Sequence, residues 1–372
     1  MIRVFIVDDS AVVRQTLTEI LSDVSDIEVV GTASDPIFAR TKLESGWPDV
    51  IILDIEMPRM DGLTFLGHIM QEHPTPVIIC SSLTTEGAKW TLDALATGAV
   101  EVIAKPEHGL KNFLEEYREN LVRAIRSAAA SGNSIHRITR LTSPKTSELV
   151  SRVHESEVYP GIKATSPPAD KTFRRASERI VVLGASAGGA NAIEVILRQL
   201  PADCPGIAIV QHMPEKFTDA FARRLDSLCA INVREARDGD LLTGGVALIA
   251  PGNLHMVLEQ KGPHYGVRVK DGPRINHHRP SVDVLFRSVA GCGGGANILG
   301  VILTGMGNDG ARGMLEMRER GVRTIAQDKE SCVVYGMPRE AVERGGVEKV
   351  LTLQDIPAAI MQHAQRDGTH GN

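Results

Sequence analysis

Short apolar runs alternate with longer amphipathic stretches in two separate parts of the chain, and this alternation restricts the possible folds more than any other property. Such alternation predicts strands and helices in turn, and therefore a parallel sheet with helices on both faces. The predicted strands of the first part are Arg3–Val7, Ile27–Thr32, Val50–Leu53, Val77–Ser81 and Glu101–Ala104. This arrangement predicts a flavodoxin-like (βα)5 domain.

The same alternation returns from Arg179 onward, with more glycine in the turns. The predicted strands there are Ile180–Leu183, Gly206–Val210, Val246–Ala250, Val267–Lys270, Ile298–Leu303 and Arg323–Ala326. The predicted helices are Asn191–Leu200, Thr218–Cys229, Val282–Ala290, Gly310–Arg320 and Pro338–Arg344. This second part is expected to form a doubly wound, mostly parallel α/β domain.

Between the two parts the periodicity fades. Asn112–Ala130 has the pattern of one more amphipathic helix, and after it come Ser, Thr, Pro and basic residues without a clear repeat. Low hydrophobicity with Pro and Ser is typical of a linker. We therefore divide the 372 residues into a domain at 1–125, a flexible linker at 126–178 and a domain at 179–372.

Composition excludes several classes of protein. The net charge of −5 does not favour nucleic acid or an anionic membrane surface as a partner. Apolar runs such as Ile180–Leu183 are far shorter than the roughly 20 residues of a membrane span. Two acids, Asp8 and Asp9, lie where a secretory signal would be apolar, so we expect a cytoplasmic protein. The five cysteines are scattered without a C-x-x-C pair, which indicates neither disulfides nor a zinc site.

Acidic residues lie at the ends of the first and third predicted strands. Asp8 and Asp9 follow the first strand and Asp54 ends the third, while Ser81 ends the fourth and Lys105 follows the fifth. Ligands of open parallel sheets bind at the carboxyl ends of the strands, so these groups are expected to converge. Three carboxylates together favour a hard cation such as Mg²⁺, and a carboxylate placed there can attack a phosphoryl group.

These residues resemble the response-regulator receiver family over positions 1 to about 106. The phrase Asp54-Ile55-Glu56-Met57-Pro58-Arg59-Met60-Asp61-Gly62 is similar to the phosphoacceptor loop of that family. The resemblance implies phosphorylation at Asp54 and a Mg²⁺ pocket formed by Asp8 and Asp9, with Asp9 and Asp54 as metal ligands. It implies Ser81 as the switch hydroxyl and Lys105 as the conformational reporter. The position of the aromatic switch residue in many receivers is occupied by the aliphatic Val102.

A serine follows the first strand of the second domain in Gly184-Ala185-Ser186-Ala187-Gly188, which fits the pattern G-x-S-x-G. Small neighbours allow a tight turn that exposes the serine oxygen at the edge of the sheet. The alternative is a glycine-rich nucleotide-binding loop, but that motif requires glycine where Ser186 stands. A DNA-binding output is disfavoured, because the second half has no compact basic helix-turn-helix.

A nucleophilic serine needs a base and an orienting carboxylate. His212 ends the next predicted strand, and Asp309 lies in the loop after the strand that ends at Leu303. The competing candidates for the base are His255, His277 and His278. The glycines beside Met306 would let its backbone N–H contribute to an oxyanion hole.

Residues 179 to about 362 resemble the catalytic domain of the chemotaxis methylesterase (CheB) family. The phrases that carry this resemblance are Gly184-Ala185-Ser186, Gln211-His212-Met213-Pro214, Ala250-Pro251-Gly252, His278-Arg279-Pro280-Ser281-Val282-Asp283, Thr304-Gly305-Met306-Gly307-Asn308-Asp309-Gly310 and Tyr335-Gly336-Met337-Pro338. The resemblance implies Ser186, His212 and Asp309 as the catalytic residues and the Met306 backbone as the oxyanion donor. Two departures are Ala187, where many relatives have Thr, and a long linker.

The resemblance also implies the reaction and its control. The expected activity is hydrolysis of glutamate methyl esters, and deamidation of glutamines, on methyl-accepting chemotaxis receptors, with no cofactor for the ester chemistry. The expected phosphodonor is a chemotaxis histidine kinase. In the unphosphorylated state, we expect the receiver to pack against the catalytic edge and to exclude the large helical substrate.

Overall fold

The computed structural model describes residues 1–57, 61–82, 84–106, 111–142, 179–292 and 295–365. Residues 143–178 of the predicted linker lie outside the described residues. The described chain forms two α/β units, one on each side of that segment. Within these ranges, no helix has both the length and the apolar composition that are needed to cross a bilayer.

The first unit is a five-stranded parallel sheet in the order β2-β1-β3-β4-β5. Its strands are β1 Ile2–Val7, β2 Ile27–Ala33, β3 Val50–Leu53, β4 Val77–Ser81 and β5 Glu101–Ala104. Its helices are α1 Ala11–Ser22, α2 Pro36–Leu43, α3 Gly62–Glu72, α4 Thr85–Thr97 and α5 Lys111–Thr142. Strands β3 and β4 are buried along their whole length, because helices cover both faces of the sheet. The flavodoxin-like prediction for this unit is confirmed.

Helix α5 is longer than the sequence pattern indicated. It continues to Thr142, whereas the pattern predicted an end near Ala130, so the first part of the predicted linker at 126–178 is helical. The residues after Ala130 are mostly weak helix formers such as Ser131, Gly132 and Asn133, so the sequence pattern predicted an end there, but they prolong a helix that is already nucleated.

The second unit is a seven-stranded, fully parallel sheet in the order β15-β14-β13-β6-β7-β10-β8. Its strands are β6 Ile180–Ala185, β7 Gly206–Gln211, β8 Asn232–Glu235, β10 Val246–Ile249, β13 Ile298–Ile302, β14 Arg323–Gln327 and β15 Lys349–Leu351. Its helices are α6 Gly189–Leu197, α7 Phe217–Leu228, α8 Val282–Ser288, α9 Ala311–Glu319, α10 Met337–Glu343 and α11 Ile356–Gln365, with short 3-10 turns at Val289–Gly291 and Gly295–Asn297. Strands β13, β6 and β7 are neighbours, so their carboxyl ends lie side by side.

A small antiparallel sheet is attached to this unit. It consists of β11 His255–Lys261, β12 His264–Lys270 and β9 Leu241–Leu242. The predicted strand at Val267–Lys270 is only the second half of β12, and the pattern missed β11. The far end of this hairpin is exposed and polar, so its residues do not form the apolar run by which a buried strand is recognised.

Candidate active site and phosphorylation pocket

The acidic residues of the first unit meet at the carboxyl edge of its sheet. Asp8 follows β1 and Asp54 follows β3, and each is only 1% exposed. Lys105 follows β5 and places its Nζ 2.8 Å from Asp54 Oδ2 and 3.3 Å from Asp8 Oδ2. One ammonium group therefore faces two buried carboxylates.

Burial controls the protonation of this pocket. It raises the pKa of Asp54 to about 6, against the opposing effect of the hydrogen bond from Lys105. Burial also raises the pKa of Asp8. For Lys105, burial acts to lower the pKa, but the ion pairs with Asp54 and Asp8 outweigh it and raise the pKa. More positive charge in the pocket would keep both acids ionised.

The donor set fits a hard divalent cation. Asp8, Asp9 and Asp54 each offer a carboxylate oxygen, and these oxygens lie within 4.8 Å of one another. Asp8 Oδ2 is buried without a well-aligned hydrogen bond from the described residues, although Lys105 is near. Carboxylate oxygens are the ligands that Mg²⁺ prefers, and one of the clustered oxygens here has no hydrogen-bond donor among the described residues.

Ser81 and Val102 lie on β4 and β5, which follow β3 in the order of the sheet. Ser81 is 1% exposed at the end of β4, where its hydroxyl donates to the Ser82 carbonyl at 3.4 Å. Val102 is buried in β5. A buried aromatic ring is supplied instead by Tyr117 of α5, whose pKa is raised by burial and by the neighbouring Cys80 thiol.

Ser186 lies in the turn between β6 and α6. Gly188 has a φ of +73°, and a Cβ at this position would lie 2.5 Å from Val333 Cβ, so only glycine fits. Three hydrogen bonds hold the turn: Ser186 N–H to Thr304 O at 3.0 Å, Gln211 Nε2 to Ser186 O at 2.9 Å, and Thr304 Oγ1 to Ala187 O at 2.9 Å. The serine is thus fixed against the strands on both sides of β6.

His212 and Asp309 are brought into direct contact. His212 Nε2 lies 2.8 Å from Asp309 Oδ2. The other ring nitrogen, Nδ1, is buried and has no hydrogen-bond partner among the described residues. Ser186 Oγ also forms no hydrogen bond within those parts of the chain. The structure therefore joins His212 to Asp309 and leaves the histidine without a bond to the serine.

Asp309 is held as a carboxylate by the start of α8. Its Oδ1 accepts hydrogen bonds from Asn276 Nδ2 at 2.8 Å and Ser281 Oγ at 2.8 Å, and its Oδ2 accepts one from Val282 N–H at 2.7 Å. Burial acts against ionisation, but the hydrogen bond from His212 and these other donors outweigh it and lower the pKa. An ionised Asp309 requires the proton on His212 Nε2, so the lone pair is at Nδ1.

The competing histidines have other environments. His255 is buried, and its Nε2 bonds Pro273 O at 2.9 Å while its Nδ1 accepts from Ser281 N–H at 3.3 Å. His277 is exposed and lies 3.9 Å from Glu119 of α5. His278 stacks on His212, with ring centroids 3.6 Å apart. Burial and the adjacent His212 lower the pKa of His278, so its ring stays neutral beside the base.

Two backbone N–H groups near Ser186 are available to an oxyanion. Met306 and Ala187 donate no backbone hydrogen bond to any residue that the structure describes. The Met306 loop is close to the serine, because a Cβ on Gly305 would lie 2.7 Å from Ser186 Cβ. The sequence predicted a backbone donor at Met306 but not the one at Ala187. Ala187 directly follows the serine in G-x-S-x-G, and this position commonly supplies such a donor.

The receiver unit covers this edge of the second sheet. A partly open cavity of about 290 Å³ lies between β5 and α5 on one side and the loops that carry His212 and His278 on the other. The Gly188 N–H donates to Val100 O of the receiver at 3.0 Å, and Asn191 Nδ2 donates to Leu95 O at 2.8 Å. The turn that carries Ser186 is therefore bonded directly to the receiver.

Comparisons with known proteins agree with this two-unit organisation. The family described as CheB methylesterase matches residues 181–360, and the response regulator receiver domain family matches residues 4–116. The protein-glutamate methylesterase/protein-glutamine glutaminase 1 of Chromobacterium violaceum is 54% identical, over 95% of this chain and 97% of its own length. The protein-glutamate methylesterase/protein-glutamine glutaminase 2 of Dechloromonas aromatica is 53% identical, over 98% of this chain and 98% of its own length.

Among solved structures, the Thermotoga maritima CheB methylesterase catalytic domain has 38% identity and a TM-score of 0.48. The match covers 50% of this chain and 97% of the Thermotoga maritima domain. The near-complete coverage of the curated relatives, together with the matches in both halves, identifies the chain. It belongs to the protein-glutamate methylesterase/protein-glutamine glutaminase family, with a response regulator receiver domain followed by a CheB methylesterase domain.

Proposed function

We propose that the methylesterase and glutaminase activity of this chain proceeds through an acyl-enzyme on Ser186. Its Oγ would attack the side-chain carbonyl carbon of a methylated receptor glutamate while His212 Nδ1 takes the hydroxyl proton. Collapse of the tetrahedral intermediate breaks the bond to the methoxy oxygen, and His212 returns the proton so that methanol leaves. Water then cleaves the acyl-enzyme by the same steps, and a glutamine amide loses ammonia in place of methanol.

The observation that carries this mechanism is the hydrogen-bond pattern of His212. Asp309 holds Nε2 at 2.8 Å, and Nδ1 is buried without a partner beside the turn of Ser186. A buried nitrogen without a hydrogen bond destabilises the fold, and a role as proton acceptor would explain why it is retained. The Met306 and Ala187 N–H groups would stabilise the oxyanion of the intermediate.

We also propose that the receiver controls access to this site. Helix α5 and strand β5 line one side of the cavity that His212 lines, and Gly188 in the Ser186 turn donates to Val100 O, so the docked receiver would hinder the approach of a receptor helix. A chemotaxis histidine kinase would transfer a phosphoryl group to Asp54, and Lys105 and Ser81 would bind its oxygens. Mg²⁺ held by Asp8, Asp9 and Asp54 would neutralise phosphoryl charge. Phosphorylation would shift the population towards an undocked receiver.

The test is methanol release from methylated chemoreceptor membranes, with and without acetyl phosphate and Mg²⁺. The wild type, Ser186→Ala and Asp54→Ala are compared. We expect Ser186→Ala to lose release under all conditions, and Asp54→Ala to keep basal release but lose the response to the donor. Release that persists in Ser186→Ala would exclude the serine mechanism.

A further inference from the structure

The loop before α8 contains a tight hairpin turn at residues 275–278. Ile275 N–H donates to His278 O at 3.1 Å and His278 N–H donates to Ile275 O at 2.9 Å. The two central residues, Asn276 and His277, have φ of +51° and +67°. Positive φ at both positions is the signature of a type I′ turn, whose backbone is rigid.

This turn connects the active site with the receiver. Asn276 points inward and donates to Asp309, and His278 stacks on His212. Arg274, just before the turn, forms an ion pair with Glu116 of α5, and His277 lies 3.9 Å from Glu119 of the same helix. The turn therefore presents basic groups outward at the mouth of the cavity that contains the candidate base.

The receiver meets these groups with one acidic face of a helix. Glu116 and Glu119 are three residues apart, so they lie on the same side of α5. Tyr117 and Asn120 of that helix line the cavity together with His212. The surface around His212 thus contacts a helix, and the basic side chains Arg274 and His277 on this surface lie next to carboxylates of that helix.

We propose that Arg274 and His277 bind carboxylates on the acidic helix that is the substrate, and that α5 occupies the same two groups in the docked state. This inference rests on the proposed function, because it concerns the same site. A helix that carries methylated glutamates also carries free glutamates, and hydrolysis creates more of them. Substrate and receiver would therefore compete for the same charges, and α5 would act as an internal mimic of the substrate.

The strength of these pairs suits such an exchange. The Arg274 side chain is 35% exposed and that of Glu116 is 49% exposed, and the His277–Glu119 pair is more exposed still. Exposed ion pairs change affinity by only about two- to fivefold each. A receptor helix can therefore replace α5 without breaking a strong bond, and high salt should weaken both complexes.

The test uses the full chain and three single variants, Arg274→Gln, Glu116→Gln and the control Arg268→Gln. Arg268 is also an exposed arginine in an ion pair, 2.7 Å from Asp238, but it lies on β12 and not on the receiver contact. Methanol release is measured against the concentration of methylated receptor membranes, with and without acetyl phosphate and Mg²⁺. Without donor, we expect Glu116→Gln to raise the rate, whereas in Arg274→Gln the weaker docking of the receiver is offset by weaker binding of the substrate. With donor, only Arg274→Gln should raise KM, by about two- to fivefold with kcat unchanged.

A wild-type KM for Arg274→Gln in the presence of donor would overturn the inference, since Arg274 would then act only on the receiver. Failure of the proposed function looks different, because the wild type would release no methanol that depends on Ser186. In that case, co-sedimentation of the chain with the same membranes still compares Arg274→Gln with Arg268→Gln. Equal binding by these two variants would also overturn the inference.

Discussion

Asn276 bridges two buried carboxylates, one of which is hydrogen-bonded to His212. Its Nδ2 lies 2.8 Å from Asp309 Oδ1 and 2.7 Å from Asp283 Oδ2, and burial raises the pKa of Asp283. Removal of the amide would leave two acids facing each other and loosen the hold of Asp309 on His212. Because hydrogen bonds to charged groups contribute about 1.5–3 kcal/mol, we expect Asn276→Gly to lower kcat roughly 10- to 100-fold at unchanged KM.

Glycine is the appropriate replacement at this position, because it adopts the φ of +51° without strain. The measurement is kcat and KM of methanol release in the presence of donor, together with thermal unfolding to establish that the fold is retained. A kcat within about twofold of wild type would show that Ser281 and the α8 N-terminus hold Asp309 by themselves.

At the scale of elements, α11 carries a buried histidine that links stability to pH. His363 is 1% exposed, its Nε2 lies 3.2 Å from Asn297 O, and burial lowers its pKa from 6.5 to about 4. The unfolded chain therefore binds a proton before the folded chain does, so stability is lost as pH falls from 6.5 towards about 4. The loss amounts to roughly 3 kcal/mol over that range.

The variant His363→Gln keeps a donor for Asn297 but does not titrate. We expect the protection of α11 and β13 amides from hydrogen exchange to fall less between about pH 7 and about pH 5 in the variant than in the wild type. Exchange is corrected for its intrinsic pH dependence. An equal loss of protection in both proteins would assign the pH dependence to other groups.

In the whole molecule, a few polar bonds tie the receiver to the catalytic unit. Asn191 of α6 donates to Leu95 O at the end of α4, and Arg224 lies 2.6 Å from Asp93 of the same helix. Loss of one such bond, at about 1 kcal/mol, should shift the docking equilibrium, and with it the minor undocked population, about fivefold. We expect Asn191→Ala to raise methanol release without donor by that factor. With saturating donor, its rate should equal that of the wild type.

The control for this prediction is Asn191→Ala combined with Asp54→Ala. The double variant should retain the raised basal rate, since the effect does not pass through phosphorylation. A basal rate equal to that of the wild type would mean that Asn191 makes no net contribution to docking.

Strands β3, β4 and β5 were predicted to the residue. Val50–Leu53 and Val77–Ser81 are buried along their whole length by helices on both faces, and therefore consist almost entirely of apolar residues, while Glu101–Ala104 at the edge of the sheet buries only its two central residues. The same reasoning located Ser186 and His212, which directly follow strands of a parallel sheet. The pattern was misleading in β11, whose far end is exposed, and at the end of α5, where weak helix formers continue a helix that is already nucleated.

The groups that support the candidate site were not predictable in this way. Asn276, Ser281 and Thr304 reach Asp309 or the Ser186 turn from loops that are distant in the sequence, and nothing local distinguishes them from ordinary turn residues. The Ala187 N–H carries no side-chain signal at all. Such roles arise from geometry, because a backbone donor or a turn amide acquires a partner only when the loops are packed.

Local chemistry alone therefore specified two parallel α/β units, an acid pocket at the end of the first sheet, and a serine, a histidine and an aspartate at the end of the second. These features follow from periodicity and from the position of polar residues after buried strands. Tertiary packing decided the rest. It paired His212 with Asp309, left Nδ1 without a partner among the described residues, and placed the acidic face of α5 against Arg274. These are contacts between residues far apart in the chain, and no pattern of neighbouring residues encodes their distance or direction.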